Sequence, residues 1–450
     1  MSTQLISPSH PHRFEIRCNV GDVALSNVAV HLVFFFERRL DREALAGAFA
    51  HALTSLPMFA GRIALARGKM RIRCKGQGVP FTSVSSGSTI REAIHSVQED
   101  RGGWLIDPVN GATARWGFGP LCKVRVTHLA DNATAIGFSW HHAIGDMQTA
   151  MHFMNAWAAA AADKPLADPL IVEDRAAYLD AHLPADGARE PGVRCLSLAE
   201  IARSALYMAR DARKQRTLSL YYGEDEIARM REYYGSRMRL SANDVVCAHV
   251  SEALMSADPA VDRRTLAIAV NVRNQCGLDP MLVGNIVTAL NVDLRRGEGA
   301  RSIAERIRHH VDTFAGEHCD MRINQKFLDA AGTWRGARCV AASFNPVQWN
   351  PLITNWTGFG VYRIQFEGAF TVFCAPVMNI PFAGVGVLVE GSDGGLLFQM
   401  TLPRNDFEAM SSPAIREHLH RFRHANDDIP RLHHEVHGQL STGSQHLDRL

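Results

Sequence analysis

The chain is 450 residues long, too long for one ordinary core and suited to two domains of roughly 200 residues each. Hydrophobic residues make up 46% and charged residues 21%, a globular balance that excludes a disordered or fibrous chain. With 48 basic and 46 acidic side chains and a net charge of +2, it lacks the electrostatic footprint of a nucleic-acid or anionic-membrane binder.

Met1 to Arg13 is polar and holds no apolar stretch of secretory-signal length. The Ala156 to Ala162 run is too short to cross a bilayer. Nine cysteines are scattered without C-x-x-C pairs, so reduced thiols in a cytoplasmic protein are expected, packed as small hydrophobes.

Val28 to Phe36 is a continuous apolar run, the pattern of a strand covered on both faces. Asp41 then caps a helix with Leu45, Phe49, Leu53 and Leu56 at helical spacing, stopped by Pro57. Cys122, Val124 and Val126 alternate with polar residues, Asp131-Asn132 turns the chain, and Ala133 to Trp140 returns. His141 and His142 follow directly, ahead of a helical stretch from about Met147 to Ala162. His142 is therefore expected at a strand-to-helix junction, where a side chain can face a cleft.

Residues 171–216, rich in Pro, Gly and charge with one helical segment near Leu198 to Ala212, read as a crossover between halves 1–170 and 217–450. In the second half, Ser241 to Asp244 opens a helix carrying Val246, Val250 and Leu254. A strand follows in which Leu266, Ile268 and Val270 face one way and Ala267, Ala269, Asn271 and Arg273 the other. Val385 to Glu390 and Leu396 to Leu402 flank a Ser392 to Gly395 turn, and a terminal helix with a polar, His-rich tail closes the chain.

The residues that carry chemistry centre on His142 and Asp146. Their H-x-x-x-D spacing has two readings: a carboxylate orienting an imidazole, or a helix cap beside a buried histidine. Arg273, if directed at an interior or an interface, needs an anionic partner, and Asp146 is a candidate. Trp104, Trp116 and Trp140 read as core aromatics before channel walls. His433, His434 and His437 read as a solvated tail before a metal grip, and no metal is expected. The Gly358-Phe359-Gly360 and Gly384-Val385-Gly386 stretches lack a following helix with a third glycine, which argues against a dinucleotide.

Four segments in order resemble the BAHD-type acyltransferases, within the wider coenzyme A-dependent acyltransferase and condensation-domain superfamily. They are Leu40 to Leu45 with Leu56 to Arg62, His141 to Asp146 (the HHxxxD block), Ala269 to Arg273 with Val283-Gly284-Asn285, and Thr354-Asn355-Trp356 to Phe366 with Asp393-Gly394-Gly395. The resemblance implies a mixed α/β fold of two similar chloramphenicol-acetyltransferase-like halves, with an active-site channel between them and His142 at its midpoint. It implies that His142 is the general base for attack of a small-molecule hydroxyl or amine on an acyl-CoA thioester, with no tightly bound cofactor. Asp146 would be structural and paired with Arg273. His141, Thr354 and Trp356 fall on the substrate side, Thr354 as a donor to the developing oxyanion and His141 through packing or loop support.

Two positions depart from the pattern. Met147 replaces the glycine after the Asp and should crowd the acceptor side of the channel, and Gln365 to Ala369 replaces the late DFGWG motif, keeping only its phenylalanine. A secondary-metabolite O-acyltransferase, monomeric and without a membrane span, is the leading expectation. A condensation-type enzyme fed by an acyl carrier protein and a catalytically silent ligand-binding member are the alternatives.

Overall fold

The computed structural model describes residues 1–427 except 67, 100, 185–187, 189, 212–213, 236–237, 346–347 and 379. The expected tail with His433, His434 and His437 lies outside the described residues. In chain order, the strands that build the two large sheets are β1 (Ser2–Ile6), β2 (Ala29–Phe36), β3 (Val79–Ser85), β4 (Cys122–His128), β5 (Thr134–His141), β6 (Arg216–Tyr222), β7 (Arg263–Asn271), β8 (Val287–Arg295), β9 (Leu352–Trp356), β10 (Phe373–Pro376), β11 (Val385–Glu390) and β12 (Leu396–Leu402). Each sheet has six strands, ordered β1-β3-β4-β5-β2-β10 and β6-β12-β11-β9-β7-β8. Both are mixed, with parallel pairs β3–β4, β7–β9 and β9–β11 among antiparallel ones. The fold is thus mixed α/β with two sheet-rich halves.

The β2 strand explains why the halves adhere. Leu32, Phe34 and Phe36 enter one apolar cluster, while Val33 and Phe35 on the opposite face meet Phe373 and Ala375 of β10 and Tyr221 and Leu397 of the second sheet. Such two-sided burial needs the unbroken apolar run that the sequence supplies. The β10 strand comes from the later part of the chain yet pairs antiparallel with β2, Phe373 opposite Phe35 and Pro376 opposite Leu32.

Helix α1 (Val20–Ala24) packs against the His142–Ile144 turn and the helix Met321–Gly336, while α2 (Arg42–Ser55) and α3 (Met147–Ala161) lie on the first sheet. Asp41 caps α2, its carboxylate accepting from Ala44 N at 2.7 Å. Phe49 of α2 meets Phe153 and Trp157 of α3 edge-on, with ring centroids 5.1 and 4.9 Å apart. Burying aromatic side chains of this size contributes roughly 1.5–3 kcal/mol each.

The crossover contains α4 (Arg175–His182) and α5 (Leu198–Asp211), and its short strand Val193–Cys195 pairs with Cys339–Ala341. In the second half α6 (Ala242–Ala257) starts at the capping box of Ser241 and Asp244 and packs on the second sheet. One sequence expectation fails here. Arg273 is not on a strand, because β7 ends at Asn271 and the chain turns into α7 (Val272–Cys276). The Asn271 side chain accepts from Arg273 N at 3.1 Å, a local cap that overrides strand alternation. No helix among the described residues is long and apolar enough to cross a membrane.

Candidate active site

His142 opens a short 3₁₀ turn, His142–Ile144, between β5 and α3. Its backbone N donates to Val28 O at 2.9 Å, and its half-buried imidazole presents Nδ1 to Asn285 Oδ1 at 2.8 Å. The amide of Asn285 cannot be turned over. Its Nδ2 donates to His142 O at 2.6 Å and to Asp22 Oδ1 at 2.9 Å, and both partners only accept. Oδ1 therefore faces the imidazole, and since it too only accepts, the ring proton sits on Nδ1. Nε2 is left with the lone pair, and it has no hydrogen-bond partner among the described residues. Asn285 lies in the second half of the chain, so His142 stands where the halves meet.

Asp22 and Arg175 brace this arrangement from beneath. Asp22 accepts from Asn19 N and Arg175 Nη1, each at 2.9 Å, and from Asn285 N at 3.2 Å. Arg175 also donates to Ala143 O at 3.3 Å and Ile144 O at 2.9 Å, holding the turn that follows His142. Gly284 has φ +143°, and a Cβ there would stand 2.9 Å from Arg175 Nε. The sequence marks Asn285 only as part of a motif, and sequence reasoning misses Asp22 and Arg175. The one local signal is the capping box of Asn19 and Asp22.

Asp146 is buried and fully engaged. Oδ2 accepts from Arg273 Nη1 at 2.7 Å and Ile286 N at 3.0 Å. Oδ1 accepts from Thr149 N at 3.1 Å, Thr149 Oγ1 at 3.2 Å and Arg273 Nη2 at 3.3 Å. Both readings of the spacing thus meet in one residue, which caps α3 and clasps Arg273. It does not orient the imidazole; Asn285 does. Burial raises the Asp146 carboxyl, but the adjacent Arg273 guanidinium and the backbone donors outweigh this and hold it below the usual carboxylate range. Arg273, 1% exposed, spends its remaining donors on Leu282 O at 2.8 Å, Gly284 O at 2.9 Å and Asn271 Oδ1 at 3.3 Å. Gly145 before the aspartate leaves room for this turn, since a Cβ there would lie 2.5 Å from Thr149 Cβ.

The substrate-side placement of His141 is corrected. Its ring points inward at 0% exposure. Nε2 lies 3.1 Å from Gly111 O, and Nδ1 accepts from Ala143 N at 3.1 Å. Both nitrogens are consumed by backbone, leaving none for substrate. Burial pushes its pKa down to about 4, and burial also lowers that of His142 below the ordinary histidine value, so both imidazoles are neutral near pH 7.

Thr354 and Trp356 lie on one face of β9, opposite Val387 and Val389 of β11. Ile353 and Leu388 turn the other way, into the second core. Trp356, Val387 and Val389 join the cluster that holds Trp140, Ile144 and Met147, so this face looks toward the first half. The Thr354 hydroxyl has no hydrogen-bond partner among the described residues. Met147 is 6% exposed and packs in that cluster. Trp140 is buried too and donates to Gly145 O at 3.1 Å, whereas Trp116 is 49% exposed. At the altered late motif, Phe366 meets Phe36 and Trp157 with centroids 5.6 and 5.0 Å away, and Glu367 Oε1 accepts from Asp41 N at 2.7 Å. That loop fastens β10 to the first half.

His249, Glu252 and His418 offer ligand atoms within 4.8 Å of one another. They are poor metal ligands here. Nδ1 of His249 lies 2.9 Å from Tyr234 Oη and its Nε2 3.1 Å from Leu419 O, while the Arg421 guanidinium stands 3.9 Å from Glu252 Oε2.

The Transferase family profile matches residues 1–415. The chain is 24% identical over 410 residues to hydroxycinnamoyltransferase 2 of Oryza sativa subsp. japonica, spanning 84% of this chain and 89% of that protein. Its match to the hydroxycinnamoyltransferase of Narcissus pseudonarcissus is 26% identical over 179 residues and spans 38% of this chain and less than half, 41%, of that relative. Among solved structures, TRI101 of F. sporotrichioides in complex with coenzyme A and T-2 is similar in fold, with TM-score 0.73, 11% identity, and coverage of 90% of this chain and 98% of that one. The chain belongs to the Transferase family, the BAHD-type acyltransferases that its motifs resemble.

Proposed function

We propose that this protein transfers an acyl group from a coenzyme A thioester to the hydroxyl of a small-molecule acceptor, with amines as further acceptors, and that His142 is the general base. The observation that carries the reading is the pairing of His142 Nδ1 with an amide oxygen that can only accept, which leaves Nε2 basic and unpartnered. Nε2 takes the acceptor's proton as its oxygen attacks the thioester carbonyl. The tetrahedral intermediate then expels the thiolate, which recovers that proton as a thiol. Thr354, with a free hydroxyl on the β9 face turned toward the first half, is the proposed oxyanion donor beside Trp356. The coenzyme A in the TRI101 structure supports the choice of donor. The family's named hydroxycinnamoyltransferases support an aromatic acyl group among those tried.

The test is a panel of acyl-CoA and acyl-carrier-protein thioesters incubated with alcohol and amine acceptors, with free thiol release followed. Acceptor-dependent release from acyl-CoA is expected. Turnover only with carrier-bound thioesters would replace the donor, and release with neither class would sink the acyltransferase reading.

A further inference from the structure

Away from the catalytic turn, two sulfurs stand together. Cys276 is the last residue of α7, the turn that carries Arg273, and is half-buried; Cys319 is buried just before the helix Met321–Gly336. Their Sγ atoms are 3.8 Å apart, and they are the one cysteine pair with a sulfur–sulfur hydrogen bond among the described residues. Both join the cluster of Val270, Val272, Leu282 and Phe314 beneath the Arg273 turn. The backbone of each is held, Cys319 N donating to Phe314 O at 2.8 Å, and Gly277 ending α7 in a left-handed conformation at φ +66°.

We propose that Cys276 and Cys319 form a reversible dithiol–disulfide site, oxidised by hydrogen peroxide. Bond formation brings the sulfurs about 1.8 Å closer, from 3.8 Å to the ~2.05 Å of a disulfide. The two thiols differ in character. Their shared hydrogen bond draws Cys276 below the ordinary thiol range, and the same bond together with burial pushes Cys319 up. Cys276, the more exposed and more acidic, is therefore the attacking sulfur.

Its thiolate attacks one peroxide oxygen, breaking the O–O bond to give Cys276 sulfenic acid and hydroxide, which leaves as water with the thiol proton. Cys319 Sγ then attacks the sulfenic sulfur, and the displaced hydroxide leaves as water with the Cys319 proton. Two thiols lose two electrons, and one peroxide becomes two waters. The new bond ties the turn holding Arg273 to the segment in which Asp320 Oδ1 accepts from Thr288 Oγ1 at 2.6 Å.

The test treats the reduced, folded, full-length protein with a mild dose of hydrogen peroxide, blocks free thiols, and maps the peptides by mass. One cross-linked peptide pair joining Cys276 to Cys319 is expected, with the thiol count falling from nine to seven and recovering with dithiothreitol. In Cys319→Ser the sulfenic acid on Cys276 should persist and be trapped by dimedone; in Cys276→Ser, Cys319 should stay reduced. Cross-links spread over other cysteines, or over-oxidation of Cys276 with Cys319 still free, would overturn the proposal. The wild-type peptide map is decisive by itself, so the test holds even if a serine variant fails to fold.

Discussion

Replacing Arg273 with alanine removes both guanidinium contacts to Asp146, at 2.7 and 3.3 Å, and leaves its carboxylate 4% exposed without a counter-charge. The carbonyl of Leu282 loses its donor as well, and that of Gly284 keeps only Thr149 Oγ1 at 3.2 Å and Asp146 N at 3.4 Å. Breaking a buried pair on one side costs about 3–5 kcal/mol. Three donors remain on Asp146, from Ile286 N, Thr149 N and Thr149 Oγ1, which favours the lower half of that range. Denaturant unfolding at neutral pH reads the loss directly. Replacing Asp146 and Arg273 together by small apolar residues should recover part of it, because no charge is then left unpaired. An Arg273→Ala variant as stable as the parent would remove the clasp from the account, and a double variant worse than the single would show that charge is not the reason.

The remaining predictions concern the tautomer and acid stability. Asn285→Leu should lower kcat by roughly 10–10²-fold with KM little changed, since the imidazole loses its orientation together with the hydrogen bond that raises its basicity; an unchanged kcat would release Asn285 from that role. His31, His141 and His249 are buried and held by burial at about 4. Unfolded histidines take protons near pH 6.5, so unfolding gains protons between that pH and about 4, and stability falls as pH drops through this window. By pH 5 the loss is roughly 2 kcal/mol per histidine. A Tm that stays flat from pH 7 to pH 5 would contradict it.

What the sequence disclosed was local, apart from the pairing of Asp146 with Arg273 across 127 residues. The apolar run of β2, the Asp41 cap and the Ser241–Asp244 box are patterns of near neighbours, and each forms where its pattern stands. The His142 to Asp146 block was legible as a strand-to-helix turn for the same reason. What escaped depends on distant pairings. The partner of His142 is 143 residues away, Asp22 and Arg175 are 153 residues apart, and β10 joins a strand from the far end of the chain. The path through Arg273 departs from the pattern because strand alternation extends only until a side chain offers the backbone another bond, as Asn271 does. The adjacent histidines cannot be told apart by type; only the backbone groups around His141 show which ring is spent.

The general base is the central claim, and paired His142→Ala and His141→Ala variants test it most directly. Both are to be checked for folding and donor binding, then assayed for turnover of the best acyl thioester. With His142→Ala, turnover should fall by ~10²–10⁴-fold while donor binding is retained, because an alcohol near neutral pH needs a base as it attacks. His141→Ala should lose less turnover, its loss tracking stability. A folded His142→Ala variant that turns over normally, with a folded His141→Ala variant that is dead, would contradict the account.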